Sequence, residues 1–99
     1  MTYNFKVLST AESHIDEAVG WYYLQADDLE SKFLGALKET FDKILDNPLI
    51  YPHINKKYRR ALVRKFPYFI YFRIDGINIK ISAVFHTSRT PEKLYKQLH

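Results

Sequence analysis

Three residues in the second half of the chain could carry proton and phosphate chemistry. His86 and Arg89 stand three residues apart, and Arg64 lies upstream of them in a basic, apolar stretch. An imidazole with an ordinary pKa of about 6.5 can give or take a proton at neutral pH. Cleaving RNA without a metal needs a base for the 2′-OH, a cation for the pentavalent phosphorane and an acid for the leaving 5′ oxygen. His86, Arg64 and Arg89 can fill those roles if the fold makes them converge. The residues alone favour a plainer role, in which a histidine at a strand end caps the backbone by hydrogen bonding.

A second constellation is a set of cations interleaved with aromatics. Arg60, Arg64, Arg73 and Lys80 alternate with Phe69 and Tyr71, and Lys56 and Lys57 lie just before them. Lysine and arginine neutralise phosphates, and exposed aromatic rings can stack bases. The same pattern fits a solvated sheet face or one covered by a partner chain. His14 and His53 are not at metal-ligand spacing, so neither a metal nor a cofactor is expected. Glu12, Asp16 and Glu17 read as the solvated face of a helix. The sequence has no phosphate-binding loop, HExxH or nucleophile elbow.

Composition bounds what these residues can belong to. The chain has 99 residues, 46% of them apolar and 16% aromatic, which predicts one folded domain over residues 1–99. It has no cysteine, which excludes disulfides and thiolate metal sites. No apolar run is long enough to cross a membrane and the first residues do not read as a signal peptide, so a cytoplasmic address is expected. Residues 1–50 hold 4 Lys/Arg and 9 Asp/Glu, a net −5; residues 51–99 hold 11 and 2, a net +9. Such segregation favours an anionic partner on one side.

The elements that position these groups can be read from periodicity. Tyr3 to Leu8 is a strand. Ser9 and Thr10 offer N-caps, and Ser9 with Glu12 has capping-box spacing. Ala11, Ile15, Ala18, Val19 and Tyr22 then follow at helical spacing to about Leu24. Gly20 in that helix predicts a close approach by another element, and Trp21 a seal at a helix–helix edge. Asp27 and Asp28 can cap a second helix with the stripe Leu29, Phe33, Leu37, Phe41, Ile44 and Leu45, which Asn47-Pro48 ends. Residues 49–58 are a loop. Thr90-Pro91 opens a last short helix that ends near Leu98.

Between the loop and that last helix the chain reads as strands. Asp75-Gly76 predicts a two-residue hairpin turn, which sets Ile74 opposite Ile77, Phe72 opposite Ile79, Ile70 opposite Ile81 and Tyr68 opposite Ala83. These apolar residues share one face. Continuing the alternation puts His86 with Lys80 and Ser82 on the other. The strand before the hairpin puts Arg60, Leu62 and Arg64 on that side too. The expected architecture is α+β: an N-terminal strand, a helical hairpin packed on a small antiparallel sheet, and a short C-terminal helix. Its helix-free face would carry Arg60, Arg64, Arg73, Lys80 and His86 around Phe69 and Tyr71.

Several motifs also resemble a known superfamily. They are Ala11-x-x-x-Ile15-x-x-Ala18 with Trp21-Tyr22, Leu29-x-x-x-Phe33 with Leu37, and Asn47-Pro48 with Tyr51-Pro52. Most specific are Arg64-x-Phe66-Pro67-Tyr68 and Ala83-Val84-x-His86-x-x-Arg89-x-Pro91. Together they resemble the RelE/ParE toxins of bacterial type II toxin–antitoxin pairs over nearly the whole chain. The resemblance implies a growth-inhibiting toxin neutralised by a cognate antitoxin, and it leaves a homodimer open. RelE-like members cut mRNA on the ribosome without metal, and ParE-like members poison DNA gyrase. For a RelE-like nuclease the resemblance implies Arg64 and His86 as catalytic residues, with Lys56 and Lys57 in a loop where other members carry catalytic lysines. No Tyr directly follows His86, and the nearest C-terminal aromatic is Tyr95. The Phe-Pro-Tyr run and the His-x-x-Arg-x-Pro ending look more like the ParE branch, so the ParE-like reading leads and the RelE-like nuclease is the alternative. An inactive relative that survives as a binding module is the third.

Overall fold

Residues 2–88 are described by the computed structural model; Arg89 and the expected C-terminal helix lie outside them. The order is β1 (Asn4–Val7), α1 (Ser9–Gln25), α2 (Leu29–Asp46), a 3-10 turn at Pro48–Ile50, β2 (Arg59–Leu62), β3 (Tyr68–Asp75) and β4 (Asn78–His86). The sheet order is β1-β4-β3-β2. As expected, two helices pack on one face of a four-stranded sheet. The sheet is mixed, however, because β1 runs parallel to β4 while β2, β3 and β4 are antiparallel. β1 enters beside β4, the last strand among the described residues, and α1 follows it directly.

The helix stripes meet the sheet where the periodicity requires. Ala11, Ala18 and Tyr22 of α1 and Phe33, Leu37 and Ile44 of α2 are buried against Ile70, Phe72, Ile79, Ile81 and Val84. Tyr22, Phe33, Phe66 and Tyr68 form one ring cluster with centroids 5.1–6.1 Å apart. Thr40 is buried in α2, where its hydroxyl donates to the Ala36 carbonyl at 2.8 Å.

The expected caps are replaced by backbone. α1 begins at Ser9 with Leu8 at the cap position, and no side chain caps it. The Leu8 N–H instead donates to Ile81 O at 2.9 Å, tying the helix entrance to β4. Asp28 precedes α2 in a left-handed conformation (φ 62°), again without a side-chain cap. Gly20 is exposed, and a Cβ built there meets nothing within 4 Å, so it admits no close neighbour. Trp21 is 55% exposed and seals no helix–helix edge.

The hairpin register differs from the expected one in two steps. The turn residues are Gly76 (φ 59°) and Ile77, so Ile74 pairs with Ile79 and Phe72 with Ile81. That two-residue shift leaves the faces unchanged, because side chains alternate with period two. A bulge then intervenes: Phe72 pairs with Ile81 but Tyr71 pairs with Ala83, leaving Ser82 as the extra residue. Beyond it the phase of β4 inverts. Val84 joins the helix-side core, and Ala83 and Phe85 turn to the other face with Tyr71.

Candidate functional site

The helix-free face carries part of the expected basic set. Parallel pairing of β1 with β4 puts Lys6 beside Lys80, and Arg73 lies beside Lys80 on β3. Asp75 sits among them: its carboxylate takes Lys80 Nζ at 3.0 Å and faces Arg73 Nε at 3.7 Å. The Lys80 hydrogen bond holds the Asp75 carboxyl below the usual carboxylate range. The charges of Lys80, Arg73 and Lys57 act in the same direction, against partial desolvation. The Arg73 Nε is itself buried without a hydrogen-bond partner. Lys56 and Lys57 are exposed in the loop, whose turn is fixed by Asn55 Oδ1 accepting the N–H groups of Lys57 and Tyr58.

The aromatic part of that face is not an open stacking platform. The Arg60 guanidinium lies over the Phe69 ring at 4.2 Å. Tyr71 is only 2% exposed, packed with Ala83, Phe85, Phe69 and Ile54 of the loop in a second small core. Tyr71 therefore supports the cations from beneath and offers no ring to a base. What this face presents to solvent is mainly charge.

His86 lies on the opposite side of the sheet from the expected one. The Ser82 bulge rotates it to the helix side, where it pairs with Tyr68 and its ring meets the Tyr68 ring at 5.4 Å. It is exposed, and with Trp21, Tyr22, Pro67, Tyr68 and Ser88 it lines a hollow of about 340 Å³. Burial, and then the neighbouring Tyr68, push the Tyr22 phenol up, so it is a neutral wall. The Ser88 N–H donates to His86 Nδ1 at 3.1 Å, and the Ser88 hydroxyl lies 2.8 Å from the same nitrogen. His86 thus caps the backbone just past the strand end.

Arg64 is also displaced from the sheet face. β2 ends at Leu62, and a turn with Lys65 at φ 69° carries Arg64 toward α2. There it faces Glu39 at 3.8 Å and lines a hollow of about 390 Å³ with Lys32, Ala36, Lys65 and Phe66. Arg64 and His86 thus line separate hollows, with the Tyr22–Phe66–Tyr68 rings linking them. Among the described residues, no three His, Asp or Glu side chains are grouped to hold a metal. Also among them, no helix is long and apolar enough to cross a membrane.

Two residues of this region escape a reading of the sequence as separate segments. Lys6 joins the basic face because Phe5 and Val7 face the core, a signal present in the alternation of β1. His14 reaches from α1 around the β4 edge, accepts the Val84 N–H on Nδ1 at 3.2 Å and lies 4.4 Å from the Phe85 ring. No local pattern announces that contact.

The whole chain compares with known proteins as follows. Residues 5–91 match the family model described as ParE toxin of type II toxin-antitoxin system, parDE. None of the curated proteins matches. Among solved structures, a chain from the chromosomal ParDE TA system of P. aeruginosa superposes with a TM-score of 0.76 at 16% identity. That match covers 86% of this chain and 96% of the other. A mutant of the E. coli toxin RelE in the free state gives 0.61 at 11% identity, covering 99% of this chain and 95% of the other. At these identities the structural matches establish the shared fold.

Proposed function

This chain belongs to the ParE toxin family of type II toxin–antitoxin systems, and from that premise we propose that it arrests growth by poisoning DNA gyrase unless a cognate antitoxin holds it. One observation favours gyrase over RNA. Arg64 and His86, the two described residues that a RelE-like nuclease would use, open onto different hollows, and Nδ1 of His86 is occupied by Ser88. A metal-free nuclease needs its base, acid and cation within reach of one phosphate. His86→Ala and Arg64→Ala are therefore expected to leave growth inhibition intact.

The antitoxin reading is supported by the family and by charge. Lys6, Lys57, Arg60, Arg73 and Lys80 give one face a positive field that would speed the approach of an acidic partner. The biochemical test uses the purified chain with gyrase and supercoiled DNA. Loss of supercoiling with accumulation of cleaved DNA is expected. Normal supercoiling together with ribosome-dependent mRNA cleavage would replace this reading with the RelE-like one.

A further inference from the structure

We propose that the hollow between α2 and the turn joining β2 to β3 binds a phosphomonoester dianion, the terminal phosphate of a nucleotide. Lys32, Ala36 and Glu39 recur at helical spacing and so share one face of α2. The turn brings Arg64, Lys65 and Phe66 against that face, around a hollow of about 390 Å³. Three cations meet one carboxylate there, a net of two positive charges. Among the described residues, no carboxylate pairs with Lys32 or Lys65. Arg64 faces Glu39 at 3.8 Å, and Lys43 holds the same carboxylate more closely, at 3.3 Å. Both members of the Arg64–Glu39 pair are largely exposed, so an incoming anion displaces Glu39 toward Lys43 at little cost.

The backbone of the turn points to a binding role for Lys65. The Phe66 N–H donates to Val63 O at 3.3 Å, which closes a turn with Lys65 at its third position. A φ of 69° there is the left-handed conformation that glycine takes without strain. The chain carries a lysine instead, so backbone strain is spent on placing an ammonium group in the lining of the hollow. A phosphomonoester fits this lining better than a carboxylate does. At neutral pH it carries about two negative charges on three oxygens. The Arg64 fork can take two of those oxygens in parallel and a lysine the third. Ala36 and Phe66 add an apolar wall for the body of the ligand. The phosphate can belong to a free nucleotide or to the end of a nucleic-acid strand.

The test reads binding and not toxicity, so its failure and that of the gyrase reading are distinguishable. Thymidine 5′-monophosphate is titrated into the full chain, with thymidine as control. The Lys65 and Phe66 amides and the Ala36 methyl are followed by NMR. The nucleotide is expected to shift these signals saturably at millimolar concentration, and thymidine to leave them in place. Lys65→Gly is expected to weaken the nucleotide about fivefold or more without lowering the unfolding midpoint, since glycine relieves the turn. Lys65→Arg, which keeps the charge, is expected to bind within about threefold of the parent. Hexathymidylate with and without a 5′-terminal phosphate separates the two sources. Tighter binding than the mononucleotide, and only when phosphorylated, makes the ligand a strand end; equal or weaker binding makes it a free nucleotide. Signals unmoved by the nucleotide would overturn the proposal, as would thymidine shifting them alike or Lys65→Gly binding like the parent. A blocked glutamate peptide that moves them as strongly would also overturn it, by assigning the hollow to carboxylates of a protein partner.

Discussion

Asp75 governs how much of the basic face is available to an anion. It holds Lys80 at 3.0 Å and Arg73 at 3.7 Å, so two of the cations are already engaged. Asp75→Asn should release them, tightening binding to a short oligonucleotide and steepening its salt dependence by about one released counterion. Unchanged affinity and slope would mean that Arg73 and Lys80 do not touch the ligand. The pH dependence follows from the lowered Asp75 pKa. Its contribution is fully present above the ordinary carboxylate value of about 3.9 and is lost as pH falls through the lower folded-state value. Acid unfolding of Asp75→Asn should therefore show a shallower decline below that pH than the parent. His14 holds the β4 backbone through a bond that substitution can test. His14→Phe keeps a ring against Phe85 but leaves the Val84 N–H without its acceptor. It should cost about 1–3 kcal/mol in denaturant unfolding, and an unchanged midpoint would show that the bond contributes nothing net.

At the level of elements, the helices are ordinary and the informative strand is β4. Gly20 and Gly35 stand in helix interiors with open space where a Cβ would go. Changing either to Ala should raise stability by about 0.5–1 kcal/mol, and a loss would reveal a contact at that site. Phe33→Ala removes a fully buried ring from the aromatic cluster and should cost about 3–5 kcal/mol. The helical hairpin, its stripes and the central strands were legible because each rests on a local period of 3.6 or 2. The side on which His86 lies was not, since one inserted residue inverts everything beyond it. The clue was present: the Ile79-x-Ile81 alternation gives way to the unbroken run Ala83-Val84-Phe85, which signals a change of phase or burial of both faces. Arg64 was misplaced because β2 ends at Leu62, before the alternation reaches Arg64, and a turn with Lys65 at positive φ follows. The parallel β1 is a tertiary choice that strand content alone does not encode.

Across the whole molecule, charge is divided between two layers. The acidic excess of residues 1–50 falls mainly on the helical hairpin, and the cations of β1, β3, β4 and the loop gather on the helix-free face. An acidic partner should therefore associate faster at low ionic strength, with the rate falling as salt rises. Salt-independent association would place the contact elsewhere. The central claim is that this toxin acts on DNA topology and not on mRNA. Its most direct test is pulse-labelling of DNA and protein synthesis after induced expression of this chain without its antitoxin. The account predicts that DNA synthesis halts first while translation continues. A prompt halt in protein synthesis, abolished by His86→Ala or Arg64→Ala, would contradict it.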